Sequence, residues 1–306
     1  MKTLIQELLR LGQISKEAHI VKQLSTKTGT KNSMNITNEG RTSVTEVRED
    51  RFVKHGVDFL SYAFQKEMHD EAILPYGFKI NKPLSFSHNE VGYELISQRQ
   101  WSLDNLNTGL IGKAMANIHN WSHSRYNAGD LQYLKIKYSP KIDDINEYDI
   151  SPSSLDIRNN ALSKITTNVF KNKVGFMPLH RDFRLHNILF DGDTYYLIDF
   201  DYSAIDIPSH EIVGMMLDIS QHGIGLLESF VGSYTQYTHL EIDSSIVDDH
   251  LYYLATDVFP YDRPDRLTKE NYESLVRERD QRIMRLTTYY EIFKEIIDES
   301  LELNEK

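Results

Sequence analysis

The sequence predicts an α+β fold in two parts, a small antiparallel sheet carrying one helix and a larger, mainly helical portion. Three observations carry this reading. Short strand-like runs crowd the first hundred positions. Apolar residues at helical spacing dominate from residue 108 onward. One hairpin, with polar residues at its open ends, interrupts the helical part between residues 188 and 199.

Taken in order, residues 1–11 place Leu4, Ile5, Leu8, Leu9 and Leu11 at helical spacing, with Glu7 and Arg10 between them. No small-residue cleavage site follows, so an amphipathic helix fits better than a leader peptide. Residues 25–35 are rich in Thr, Lys and Asn and read as a loop or hairpin turn. Residues 42–47 and 51–54 read as two short strands turning at Arg48, Glu49 and Asp50. Between 59 and 74, Phe59, Leu60, Ala63, Phe64, Met68, Ala72 and Ile73 mark a helix, which Pro75 and Gly77 end. Residues 91–96 read as a further strand, and a domain boundary falls near residue 97. This divides the chain into residues 1–97 and 98–306. Helices are expected from residue 108, over 153–169, and in several pieces from 212 to 306. Residues 122–152 are polar and read as a surface loop.

Composition narrows the function classes. The 306 residues carry 34 basic and 45 acidic side chains, a formal net charge of −11. That balance argues against a nucleic-acid binder, which carries a basic footprint. With no cysteine there is no disulfide framework, thiol nucleophile or iron–sulfur cluster. No stretch approaches the ~20 apolar residues needed to span a bilayer. A soluble, cytoplasmic protein without a membrane partner is expected.

The chemistry concentrates in His180, Arg181, Asp182, Phe183, Arg184, Leu185, His186 and Asn187, followed by the apolar run Ile188, Leu189, Phe190. Asp191 and Gly192 form a turn signal, and the chain returns through 195–198 to Asp199, Phe200 and Asp201. A hairpin brings its open ends together, so Asp182, Asn187 and Asp199 should share one small volume. Phosphoryl transfer needs such a volume, because its catalysis is mostly positioning and charge stabilisation. Asn187 and Asp199 supply the hard oxygen ligands that Mg²⁺ prefers. Asp182 is placed to orient an acceptor hydroxyl and accept its proton.

The spacing H-R-D-x-x-x-x-N with a following D-F resembles the protein-kinase catalytic loop and metal motif. The short gap between Asn187 and Asp199, and the sequence Ile198–Asp199–Phe200–Asp201, more closely resemble aminoglycoside phosphotransferases and choline kinases. Features from Asp199 to Pro208, Val258–Phe259–Pro260 and Tyr272 are similar to the spore-coat kinase-like branch of that superfamily. The resemblance implies a bilobal, protein-kinase-like fold, with the nucleotide held by residues 1–97 and the acceptor by helices of residues 98–306. It implies ATP and Mg²⁺ as cofactors and transfer of the γ-phosphate to a hydroxyl of a small molecule. An aminoglycoside, amino alcohol or sugar-like compound fits that description, and the net charge favours a cationic one. A peptide, protein or glycan acceptor stays open, as does a non-catalytic nucleotide-binding module.

On the same resemblance, Lys54 holds the ATP phosphates and pairs with a helix glutamate, Glu67 or alternatively Glu71. The loop containing Gly40, Thr42 and Ser43 covers the phosphates, although it has one glycine where relatives carry several. Backbone groups near Glu94 and Ile96 hold the adenine. Glu211 stands where relatives carry an aspartate and is expected to bond the catalytic loop without touching substrate. His180 is expected to bond within its own loop. His119 and His123 flank Trp121 at a spacing that suits a metal, but no accompanying pattern supports one, and His119 is expected to pack at a helix end.

Overall fold

The computed structural model describes residues 34–36, 44–47, 51–55, 57, 59–87, 90–94, 96, 105–129, 134, 151–165, 175–256 and 269–304. A five-stranded antiparallel sheet contains β1 (Met34–Ile36), β2 (Val44–Val47), β3 (Arg51–His55), β5 (Pro83–Ser87) and β6 (Glu90–Glu94). Its strand order is β1-β2-β3-β6-β5. β2 and β3 are the strands the sequence predicts, paired with Thr45 opposite Lys54. β1 falls in the stretch read as polar loop, and the expected helix over residues 1–11 lies outside the described residues. Side chains alternate along a strand. Val53 is buried in the sheet's core, so the neighbouring Lys54 faces the opposite side.

Helix α1 (Phe59–Glu71) ends three residues before the expected Leu74. It buries Ser61, Phe64, Gln65 and Met68. Gln65 is a polar residue on a core-facing stripe, and its amide is satisfied twice. It donates to the Asn81 carbonyl at 2.9 Å and accepts from the Tyr93 hydroxyl at 3.0 Å. A neutral bond therefore ties α1 to strand β6.

β4 (Phe78–Ile80) was not legible in the sequence. It leaves the first sheet and pairs in parallel with β9 (Tyr195–Leu197), which pairs antiparallel with β8 (Ile188–Phe190). The predicted hairpin is therefore present, with a third strand from early in the chain. Asp191 caps its turn by accepting from the backbone of Asp193 and Thr194 at 2.9 and 2.8 Å.

Helix α2 (Thr108–Asn127) is capped by Asn107, whose side chain accepts from Leu110 N–H at 2.9 Å. It runs six residues into the stretch read as loop. The Tyr195 hydroxyl donates to the Asn105 carbonyl, which fastens the hairpin to the start of α2. The remaining helices are α3 (Pro152–Lys164), α4 (Ser209–Ile219), α5 (Ile224–Tyr237), α6 (Ser245–Thr256) and α7 (Lys269–Asn304). α7 has 36 residues, and Ile283, Leu286, Tyr290, Phe293, Ile296 and Ile297 bury one of its faces. Among the described residues, no helix is long and apolar enough to cross a membrane.

Two short strands complete the chain. β7 (Met177–Leu179) pairs with β10 (Ala204–Asp206), one on each side of the hairpin in sequence. β10 ends on Asp206, which is fully buried. Arg181 Nε donates to its carboxylate at 2.6 Å, Ile207 N–H donates at 2.9 Å, and His210 Nδ1 lies 3.0 Å away. Burial alone raises the Asp206 pKa. The His210 charge and hydrogen bond, the Arg181 charge and the Ile207 N–H outweigh burial and hold it at about 2.

Two outcomes follow from this packing. In α2, a Cβ on Gly112 would stand 2.3 Å from the Phe230 carbonyl oxygen of α5. Gly112→Ala should therefore force the helices apart and cost about 1–3 kcal/mol in denaturant unfolding. Asp206 has a depressed folded-state pKa, so its contribution is present above its ordinary value of 3.8 and is lost as pH falls toward about 2. The stability difference between wild type and Asp206→Asn should shrink by about 2 kcal/mol over that window, read from unfolding midpoints at stepped pH.

Candidate active site

The catalytic segment begins where β7 ends. His180 is fully buried. Its Nε2 donates to the Ile198 carbonyl at 2.8 Å, which leaves Nδ1 to accept from Asp182 N–H at 3.2 Å. Its ring packs against Phe200 with centroids 4.3 Å apart. His180 thus joins the segment before the hairpin to the strand returning from it. Arg181 follows in the left-handed region, with φ of 67°, a costly conformation for a residue with a side chain. Its backbone N–H donates to Glu211 and its guanidinium to Asp206, so the strained turn is held at two points.

Glu211 is itself buried, which demands compensation for its charge. His119 Nε2 donates to it at 2.8 Å, and His119 Nδ1 accepts from the Tyr234 hydroxyl at 2.8 Å. Burial pushes the Tyr234 phenol up, so it stays a donor. His119 therefore occupies a buried bonding position at the back of the catalytic loop.

Asp182 and Asn187 meet directly. The Asn187 amide donates to both the carbonyl and the carboxylate of Asp182, each at 2.8 Å. With its NH₂ so engaged, the amide oxygen makes no hydrogen bond among the described residues. His186 lies 3.3 Å from the same Asp182 carboxylate. Burial works to raise the Asp182 pKa. The His186 hydrogen bond and charge, with the Arg184 charge, outweigh it and hold the carboxyl well below the usual range. Arg184 is placed by the Gly214 carbonyl at 3.0 Å and Asp218 at 3.1 Å. Gly214 is required there, since a Cβ would stand 2.8 Å from the guanidinium carbon.

The hairpin's open end closes through Ile198 N–H donating to the Asn187 carbonyl at 3.0 Å. Asp199 is next and also adopts positive φ, 64°. Lys54, 145 positions earlier, donates to Asp199 at 2.7 Å and lies 2.8 Å from Asp201. Burial lowers the Lys54 pKa, but the two carboxylates outweigh it and leave the ammonium above its ordinary value. For Asp199, burial and the neighbouring Asp182 charge both raise the pKa, and Lys54 overcomes them.

Four of the sequence-derived residues, Lys54, Asp182, Asn187 and Asp199, therefore share one site. Glu67 is half-buried on α1. Glu71 lies 3.4 Å from Arg125. Glu94 stands exposed at the end of β6, its N–H donating to the Lys82 carbonyl at 3.4 Å, and Ile96 is buried. Gly40, Thr42 and Ser43 lie outside the described residues. Asp201 was missed as a partner of Lys54, because the positive φ of Asp199 and the turn at 201–202 that bring both acids to the ammonium carry no periodic signal. The amide oxygen of Asn187 and the carboxylate of Asp199 make a hard-oxygen donor set that suits a divalent cation.

Residues 101–243 match the profile of the phosphotransferase enzyme family. No curated protein sequence matches the chain. Solved structures with the same fold include a spectinomycin phosphotransferase bound to ADP and spectinomycin, with TM-score 0.58 and 14% identity, covering 90% of this chain and 97% of that one. A microcompartment-associated aminopropanol kinase aligns with TM-score 0.56 and 12% identity, covering 92% and 98%. A choline/ethanolamine kinase family protein from Mesorhizobium loti aligns with TM-score 0.51 and 12% identity, covering 91% and 95%. The profile matched over residues 101–243 and the shared protein-kinase-like fold make this chain similar to aminoglycoside phosphotransferases and to choline/ethanolamine kinase family proteins.

Proposed function

We propose that this protein is an ATP-dependent phosphotransferase that moves the γ-phosphate to a hydroxyl of a small molecule. The observation that carries the reading is the meeting of Asp182, Asn187 and Asp199 with Lys54 in one site. In this reading residues 1–97 serve the nucleotide and residues 98–306 the catalytic loop and acceptor. Lys54 binds the phosphates, and Asn187 and Asp199 hold Mg²⁺. The bound metal would neutralise charge on the phosphate oxygens.

The reaction asks little covalent chemistry of the chain. The acceptor oxygen forms a bond to the γ-phosphorus while the bridging bond to the β-phosphate breaks, and ADP leaves with that electron pair. The acceptor's proton passes to Asp182. A carboxylate held well below the usual pKa range is a weak base. Asp182 therefore acts first by aligning the hydroxyl, and it takes the proton only once bond formation to phosphorus is advanced. Asn187 fixes the carboxylate's direction, and His186 keeps it ionised.

The acceptor class draws support from relatives of the same fold, among them the spectinomycin phosphotransferase and the aminopropanol kinase. Both names denote amino-bearing compounds with hydroxyls, so an amino alcohol or aminoglycoside is the first class to test. Nucleotide consumption should rise with at least one member of a panel of amino alcohols, aminoglycosides and sugars. Asp182→Asn should lower that turnover by about 10²–10⁴-fold while ADP binding persists. Near-normal turnover in the variant would overturn the assignment.

A further inference from the structure

The partners of Lys54 differ from those its role leads one to expect. A strand lysine that holds phosphates is expected to be fixed by a helix carboxylate. Here the inward stripe of α1 presents Gln65, and Gln65 is engaged with Tyr93 and the Asn81 carbonyl. Glu71 faces Arg125. The ammonium instead sits between Asp199 and Asp201, at 2.7 and 2.8 Å.

We propose that Asp201 is the residue that positions Lys54 for the nucleotide phosphates. The inference rests on the nucleotide-binding reading of this site. Two features separate Asp201 from Asp199. The Asp201 side chain is 7% exposed and that of Asp199 23%. Asp199 also lies beside Asn187, so it is the carboxylate a divalent cation would claim. The deeper burial of Asp201 makes it the firmer hold on the ammonium, with or without a cation at Asp199.

The segment carrying Asp201 is built to stay still. Phe200 is buried between the His180 ring and Phe64 of α1. Its carbonyl accepts from both Ser203 N–H at 3.0 Å and the Ser203 hydroxyl at 2.7 Å. A carboxylate on such a turn can set the direction of an ammonium without reorganising when nucleotide arrives.

The test is calorimetric titration of ADP into the full chain, with and without MgCl₂. Asp201→Asn should weaken ADP binding about tenfold in both conditions, and by more than Glu67→Gln does. In a Lys54→Met background, Asp201→Asn should change nothing further, since the group it positions is gone. A loss confined to the Mg²⁺ titrations would make Asp201 a metal ligand and overturn the proposal. So would a larger effect of Glu67→Gln, or an equal loss in the Lys54→Met background. Should Asp201→Asn fail to fold, melting of Lys54→Met against Lys54→Met/Asp201→Asn decides the matter. Removing the ammonium leaves like charges together, so the double variant should melt higher. A lower melting point overturns the proposal. Failure of the wild type to bind ADP would instead overturn the nucleotide-binding reading, and this inference with it.

Discussion

Three carboxylates, those of Asp182, Asp199 and Asp201, are gathered at one site. Like charges so placed raise each other's pKa and favour protonation, and the Asp182 charge acts on Asp199 in this sense. Cationic neighbours outweigh that repulsion at Asp182 and Asp199. Lys54 serves Asp199 and Asp201, and His186 with Arg184 serves Asp182. The rest of the described structure holds those cations in place. β3 carries Lys54 outward because Val53 faces inward, and Gly214 clears the space in which the Arg184 guanidinium lies against α4.

Behind that site stands a second set of buried polar groups whose work is mechanical. Tyr234, His119 and Glu211 form a chain from α5 through α2 to α4, and it ends on the backbone N–H of Arg181. Arg181 and Asp199 are the two non-glycine residues with positive φ among the described residues. One precedes Asp182, and the other is the acid that accepts from Lys54. Strain of this kind persists only where the surroundings over-determine it. Buried, fully partnered polar groups impose direction in a way that apolar packing does not.

Much of this was legible in the sequence, for a local reason. Asp182, Asn187 and Asp199 lie within eighteen residues of one another, and a hairpin with an Asp-Gly turn fixes their meeting whatever surrounds it. Strands β2 and β3, helix α1 and the start of α2 could likewise be read from periodicity. The rest depends on separations that periodicity does not see. His119 and Glu211 are 92 positions apart, and Lys54 and Asp199 are 145 apart. The place of Gln65, bonded to Tyr93 and the Asn81 carbonyl, was likewise hidden, since a polar residue on a core-facing stripe breaks the helical period. β4 was missed because three residues after a Pro-Tyr-Gly break carry no period of their own.

That short strand has a mechanical consequence. β4 is bonded to β9 by a parallel ladder, and Tyr195 N–H also donates to the Gly77 carbonyl at 2.9 Å. The early part of the chain is thus sewn to the hairpin along one seam, while Lys54 meets the same hairpin's far end through ions alone. Ladder bonds hold their direction, and ion pairs at a partly open site exchange readily with water and ligands. The β4–β9 seam therefore sets the direction of the early part of the chain against the hairpin, like a keel under a hull, and leaves the Lys54 ion pairs as the contact there most readily exchanged.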